Sequence, residues 1–160
     1  MNDCIEYFLD VEASGIHPES YPIEVGICGP GYEISHLIKQ TEGWTYWDSN
    51  AEDLHGISRE MLQQEGVEAS WLCQKLNHDL AGKTLWADSN YDAWWLETLF
   101  EVVGARPLFE VKNIFQLIDQ SRLPYYYGAT GGKVEHRALA DAKDLRACWQ
   151  AYARANIHHI

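Results

Sequence analysis

The chain has 160 residues, 46% of them hydrophobic and 12% aromatic, which is enough apolar material to close one core and too much for a disordered polymer. Its 12 Lys and Arg stand against 24 Asp and Glu, a formal charge of −12, and this excludes a protein that grips long duplex DNA by neutralising many phosphates. No apolar run approaches the length of a membrane span, and Met1-Asn2-Asp3-Cys4 lacks the basic and then apolar start of a secretion signal. Cys4, Cys28, Cys73 and Cys148 are scattered with no C-x-x-C pair, so neither a zinc site nor a disulfide framework is expected. The expectation is one cytoplasmic domain over residues 1–160 with reduced thiols.

In chain order, Ile5 to Val11 reads as a central strand, with Ile5, Tyr7, Leu9 and Val11 on one face and Phe8 on the other. Ile23 to Cys28 and Tyr32 to Ile38 flank the turn signal Gly29-Pro30-Gly31 and predict an antiparallel hairpin. Thr41 to Asn50 is polar and Trp-rich. Ser58 then N-caps a short helix, and a second helix covers Glu68 to Leu80. Lys83 to Ala87 is a short strand leading into a helix from Ser89 to Val103, closed by Gly104. Pro107 to Val111 reads as a last strand and Asn113 to Gln120 as a helix. Leu123 to Gly132 reads as a Tyr- and Gly-rich loop, and His136 to Arg154 as the final helix. Early strands followed by alternating helices and strands predict an α/β domain with a mixed sheet.

Within that layout some carboxylates occupy positions where carboxylates are costly. Asp10 and Glu12 are two apart on the first strand, so both fall on the face of Phe8 at its C-terminal end. Side by side, they repel each other unless a cation lies between them; the competing explanation is that the strand ends at Leu9 and both acids are solvated. Asp92 shares a helical stripe with Trp95, Leu96, Leu99, Phe100 and Val103; a capping contact with Ser89 is the competing explanation. Asp141 is the single charged member of the stripe Ala138, Asp141, Ala142, Leu145, Cys148, Trp149 and Tyr152. Acids delivered to the core side by three separate elements point to a shared divalent ion, and oxygen-only donors suit Mg²⁺ or Mn²⁺ rather than zinc.

Together these residues resemble the DEDDh family of 3′–5′ exonucleases, which includes ribonuclease T, oligoribonuclease and the proofreading subunit of bacterial DNA polymerase III. The first motif is Phe8-Leu9-Asp10-Val11-Glu12-Ala13-Ser14-Gly15, the second Ala87-Asp88-Ser89-Asn90-Tyr91-Asp92 with Trp95-Leu96, and the third His136-Arg137-Ala138-Leu139-Ala140-Asp141. Tyr21-Pro22-Ile23-Glu24-Val25-Gly26 and Leu54-His55-Gly56-Ile57-Ser58 resemble secondary signatures of the same family. Asp88 departs from the usual pattern and stands as a rival to Asp92. The resemblance implies a ribonuclease H-like mixed sheet whose antiparallel opening strands precede parallel ones.

It further implies a two-metal hydrolysis of phosphodiester bonds that releases nucleoside 5′-monophosphates from the 3′ end of single-stranded DNA or RNA or of short oligonucleotides. Asp10, Glu12, Asp92 and Asp141 hold the two Mg²⁺ or Mn²⁺ ions in that scheme, with Asp10 bridging, and His136 acts as base. Val11, Ala13, Ser14, Gly15, Ile16 and Ile57 are the expected substrate contacts. Tyr125, Tyr126, Tyr127, Trp44 and Trp47 are candidates for base stacking. A homodimer and no membrane association are expected. The competing readings are a non-catalytic nucleic-acid or protein binding module on the same fold and a phosphoesterase acting on dinucleotides.

Overall fold

The computed structural model describes residues 5–123 and 136–157. Three strands open the chain, β1 (Tyr7–Ala13), β2 (Pro22–Gly29) and β3 (Tyr32–Leu37). Helices α1 (Ser49–His55), α2 (Arg59–Glu65) and α3 (Ala69–Leu80) follow. Next come β4 (Thr84–Ala87), α4 (Asn90–Val102), β5 (Glu110–Asn113) and a long terminal helix, α5 (Ala138–Ile157). The sheet order is β3-β2-β1-β4-β5, antiparallel among the first three strands and parallel from β1 through β4 to β5. This is the mixed α/β architecture expected from the element pattern.

Strand β1 is central because both its faces are covered. Leu9 and Val11 pack with Ile23, Val25 and Ile27 of β2 against Leu72, Leu76, Leu96, Leu99 and Phe100 of α3 and α4. Phe8 faces the other way, where Cys28 and Trp86 meet Ala142, Leu145 and Cys148 of α5. Each fully buried aliphatic side chain here is worth roughly 1.5–3 kcal/mol relative to exposure. Asp10 and Glu12 alternate in phase with Phe8, and so the strand aims both acids toward the α5 layer.

Several boundaries differ from those read in the sequence. β1 runs on to Ala13, since Glu12 pairs with Glu24 and, across an irregularity, Ala13 with Pro22. The polar, Trp-rich stretch is followed by an unpredicted helix, α1, whose N-cap Asp48 accepts from Asn50 N–H at 2.9 Å and whose C-cap Gly56 takes a left-handed φ of 69°. The last strand lies at Glu110–Asn113, not 107–111. No α-helix forms over 113–120: Asn113 caps a single 3₁₀ turn, Ile114–Gln116, and a second turn follows at Gln120–Arg122. Ile114 and Ile118 reach the core while Leu117 is 41% exposed, so that segment lacks a continuous buried stripe. The final helix starts at Ala138 instead of His136. Residues 124–132 of the predicted Tyr- and Gly-rich loop, with Tyr125, Tyr126 and Tyr127, lie outside the described residues. Among the described residues no helix is long and apolar enough to cross a membrane.

Candidate active site

β4 pairs in parallel with the start of β1 at Tyr7 and Phe8, so β1 runs on past the end of β4, and beyond such strand ends an open α/β sheet leaves a crevice. A cavity of about 520 Å³ opens there. Asp10 and Glu12 enter it from β1, Asp88 from the turn after β4, Asp92 from the first turn of α4, and Asp141 from the first turn of α5. Two constellations result. Carboxylate oxygens of Asp10, Glu12 and Asp141 lie within 4.8 Å of one another, and so do oxygens of Asp10, Asp88 and Asp92. Asp10 is common to both. Asp88 and Asp92, rivals in the sequence, therefore occupy one site together.

Like charges at such separations repel by roughly 3 kcal/mol per pair at an effective dielectric near 20, more than two pKa units' worth. Burial and the charges of Asp92, Glu12, Asp141 and Asp88 push Asp10 well above the ordinary carboxylate range. Burial, then the Asp141 and Glu24 carboxylates, push Glu12 up to about 7 against a smaller opposing pull from Arg137. Asp92 is driven up to about 8 by burial and by Asp88, although the Val11 amide pulls the other way. Burial also raises Asp88. A bare cluster of this kind binds protons; a divalent cation serves the same electrostatic need.

Asp92 supplies the test of whether a cation fits. The residue is 2% exposed, its Oδ1 accepts from Val11 N–H at 3.0 Å, the Ser89 amide adds a weaker pull on the carboxylate, and its buried Oδ2 makes no well-formed hydrogen bond among the described residues. A buried carboxylate oxygen without a well-formed hydrogen bond is costly, and a hard cation is the partner that the surrounding all-oxygen set offers. The residues present fit Mg²⁺ or Mn²⁺.

His136 lines the same cavity just ahead of α5 and has a left-handed φ of 50°, uncommon for a residue other than glycine. Of the expected substrate contacts, Val11, Ala13, Gly15 and Ile16 line the cavity, and Ile16 is 70% exposed at its rim. Ser14 does not line it: its buried hydroxyl accepts from Tyr21 N–H at 3.1 Å and ties the end of β1 to the start of β2. Ile57 is fully buried in the core, so it offers no exposed wedge. Leu54, 63% exposed on α1, holds the rim position instead, with Ala51 and His55 beside it. Trp44 stacks on Tyr21 in the core, and the Trp47 indole donates to Glu52, so neither ring lines the cavity.

Glu24 had no assigned role in the sequence reading, yet it is 1% exposed and held by four donors. Arg137 grips it bidentately, with Nη2 at 2.7 Å from Oε1 and Nε at 3.0 Å from Oε2; Ala138 N–H donates to Oε2 at 3.0 Å and the Ser35 hydroxyl to Oε1 at 3.3 Å. Burial alone would raise its pKa, but the Arg137, Ala138 and Ser35 contacts outweigh burial and hold it below the ordinary value. A lone acid inside the apolar run Ile23 to Cys28 was the available signal.

No protein-family model matches the sequence, and no curated protein matches it. Solved structures do. An apo exonuclease I superposes with a TM-score of 0.71 at 13% identity, over 91% of this chain and 41% of that one. The chain shares its fold with exonuclease I. Exonuclease I of Methylocaldum szegediense matches with a TM-score of 0.62 at 16% identity over 86% of this chain and 38% of its own. The E. coli exonuclease I complex with a dA16 oligonucleotide matches with a TM-score of 0.60 at 14% identity over 75% and 29%. The chain thus spans less than half the length of these exonuclease I structures. The ribonuclease H-like mixed sheet expected from the motifs is the one that this exonuclease I likeness shows.

Proposed function

We propose that the chain is a divalent-metal-dependent 3′–5′ exonuclease that hydrolyses the terminal phosphodiester bond of single-stranded DNA or RNA and releases nucleoside 5′-monophosphates. The carrying observation is the pair of acid constellations joined at Asp10, on a fold shared with exonuclease I. Asp10, Glu12 and Asp141 would hold one ion, and Asp10, Asp88 and Asp92 the other. When bound, such ions supply Lewis-acid stabilisation of a scissile phosphate and of the charge developing on the leaving 3′ oxygen.

The chain's own groups do the rest. His136, at the mouth of α5, accepts the proton of the attacking water. The backbone from Val11 to Gly15 lies along the cavity, and Gly15, with a φ of 147°, leaves room where a Cβ would strike Tyr46 and Asp48. Ile16 and Leu54, both largely exposed at the rim, offer apolar surface to the terminal base and exclude water from the reacting end. The net charge of −12 favours a few phosphates held through cations over a long basic track. Solved complexes of E. coli exonuclease I contain dA16 and dT13 oligonucleotides, which makes single-stranded DNA the first substrate to try.

The deciding experiment follows a 5′-labelled single strand, DNA and RNA in parallel, with Mn²⁺ or with chelator. The expected result is a descending ladder of 5′-labelled strands without early labelled mononucleotide, present with metal and absent with EDTA. If neither polymer gives metal-dependent product, the proposal fails; cleavage confined to dinucleotides would replace it with the small-substrate phosphoesterase.

A further inference from the structure

The acids of the cavity come from β1, the turn after β4, α4 and α5, and something must fix the gap between the sheet and α5. On β2, Glu24, Gly26 and Cys28 alternate onto the face that α5 covers. Each meets α5 at a successive level. Glu24 binds the Arg137 guanidinium and the Ala138 amide. Gly26 lies against the backbone of Ala138 and Leu139 so closely that any Cβ there would collide with it. The Cys28 thiol reaches the Ala142 carbonyl at 3.4 Å. Across the sheet, Glu24 is in register with Glu12 and Gly26 with Asp10. The seat of the helix therefore runs alongside the acid pair, and the Asp141 amide bonds back to the Arg137 carbonyl at 3.0 Å in the turn that the seat grips.

From this we infer that Glu24 and Gly26 are positioning residues: they fix the depth and rotation of the first turn of α5, and with it the spacing between Asp141 and the acids of β1. The absence of a side chain at Gly26 sets the depth. The bidentate grip on Arg137 sets the rotation, because a guanidinium fork donates to a carboxylate in one plane. The same amide grip satisfies an N–H of the first helical turn, a donor left open by helix geometry. The inference rests on the metal-dependent reading of this site, and its readout is chosen to stand apart from nuclease activity.

The full chain is titrated with Mn²⁺ alone by calorimetry, melted thermally, and assayed for Mn²⁺-dependent cleavage, as the parent protein and as Gly26→Ala, Glu24→Gln and Arg137→Gln. Expected are Mn²⁺ binding weakened about tenfold in each variant and kcat lowered on the order of 10²-fold, as for reacting groups misplaced by about 1 Å, with KM within about twofold. Glu24→Gln keeps the shape of the side chain, so the test survives a Gly26→Ala protein that does not fold. Arg137→Gln separates position from charge: removing a cation beside Glu12 would tighten Mn²⁺ binding if charge alone mattered, and tighter binding overturns the inference. Variants that melt earlier yet bind Mn²⁺ and cleave like the parent also overturn it. If the parent binds Mn²⁺ without cleaving any strand while the variants bind it poorly, the seat stands and the nuclease reading falls.

Discussion

Asp10 differs from the other acids of the cavity in belonging to both constellations, so its loss should affect both. Asp10→Asn is expected to lower metal-dependent cleavage by about 10³-fold or more, and to cost more than Asp88→Asn, which touches one constellation. Steady-state kinetics at saturating Mn²⁺ compares them; equal losses would remove the special place of Asp10. His136→Ala should lower kcat by about 10²–10⁴-fold with KM little changed, the range for loss of a positioned base. Asp10, Glu12, Asp92 and Asp141 were legible in the sequence because each breaks a periodic apolar pattern. Asp88 was seen as a competitor because linear spacing cannot show that a strand end and a helix start aim two carboxylates at one point. The role of Glu24 was hidden, since its partner Arg137 stands 113 positions away.

Helix α1 shows the limit of pattern reading at the next scale up. Ser49 to His55 carries only Ala51 and Leu54 as apolar side chains, and Leu54 faces outward, so no amphipathic stripe announces a helix. What builds it is capping, by Asp48 in front and Gly56 behind, together with the Asp48 amide bond to the Ser14 carbonyl at 2.8 Å. Conversely, Ile114, Leu117 and Ile118 have helical spacing, yet the chain makes a single 3₁₀ turn there. Strands β1 to β4 and α3 to α5 were legible, since β-branched runs and long stripes signal burial whatever the tertiary context, whereas the half-exposed β5 was misplaced. Because α1 presents Leu54 to the cavity rim, Asp48→Ala should cost about 1 kcal/mol of stability and act on substrate grip. We expect KM for an oligonucleotide to rise about threefold or more with kcat within about twofold. Unchanged KM alongside a lowered Tm would detach α1 from substrate binding.

For the molecule as a whole, the raised carboxylates couple folding to pH and to metal. Glu12 at about 7 and Asp92 at about 8 bind protons more tightly when folded than when unfolded. Their contribution is therefore full below about pH 4, the ordinary carboxylate range, and is lost as pH rises through about 7 to 8. Metal-free protein should accordingly show a Tm that declines between about pH 5 and 8. A cation that binds only the folded form offsets that loss, so the rise in Tm on adding Mn²⁺ should be larger near pH 8 than near pH 6. Melting curves with EDTA and with Mn²⁺ test this, and an increment independent of pH would contradict the cluster's role.

The hairpin between β2 and β3 turns at Pro30 and Gly31, both exposed, beside the Phe8 end of β1 and away from the Glu12 end. An affinity tag spliced into that tip would hang from the pole opposite the acids. Protein tethered to a bead by such a tag should keep its parent turnover, which per-bead product counts would verify. In that geometry the acid-lined cavity points outward, free to meet the proposed substrate arriving from solution.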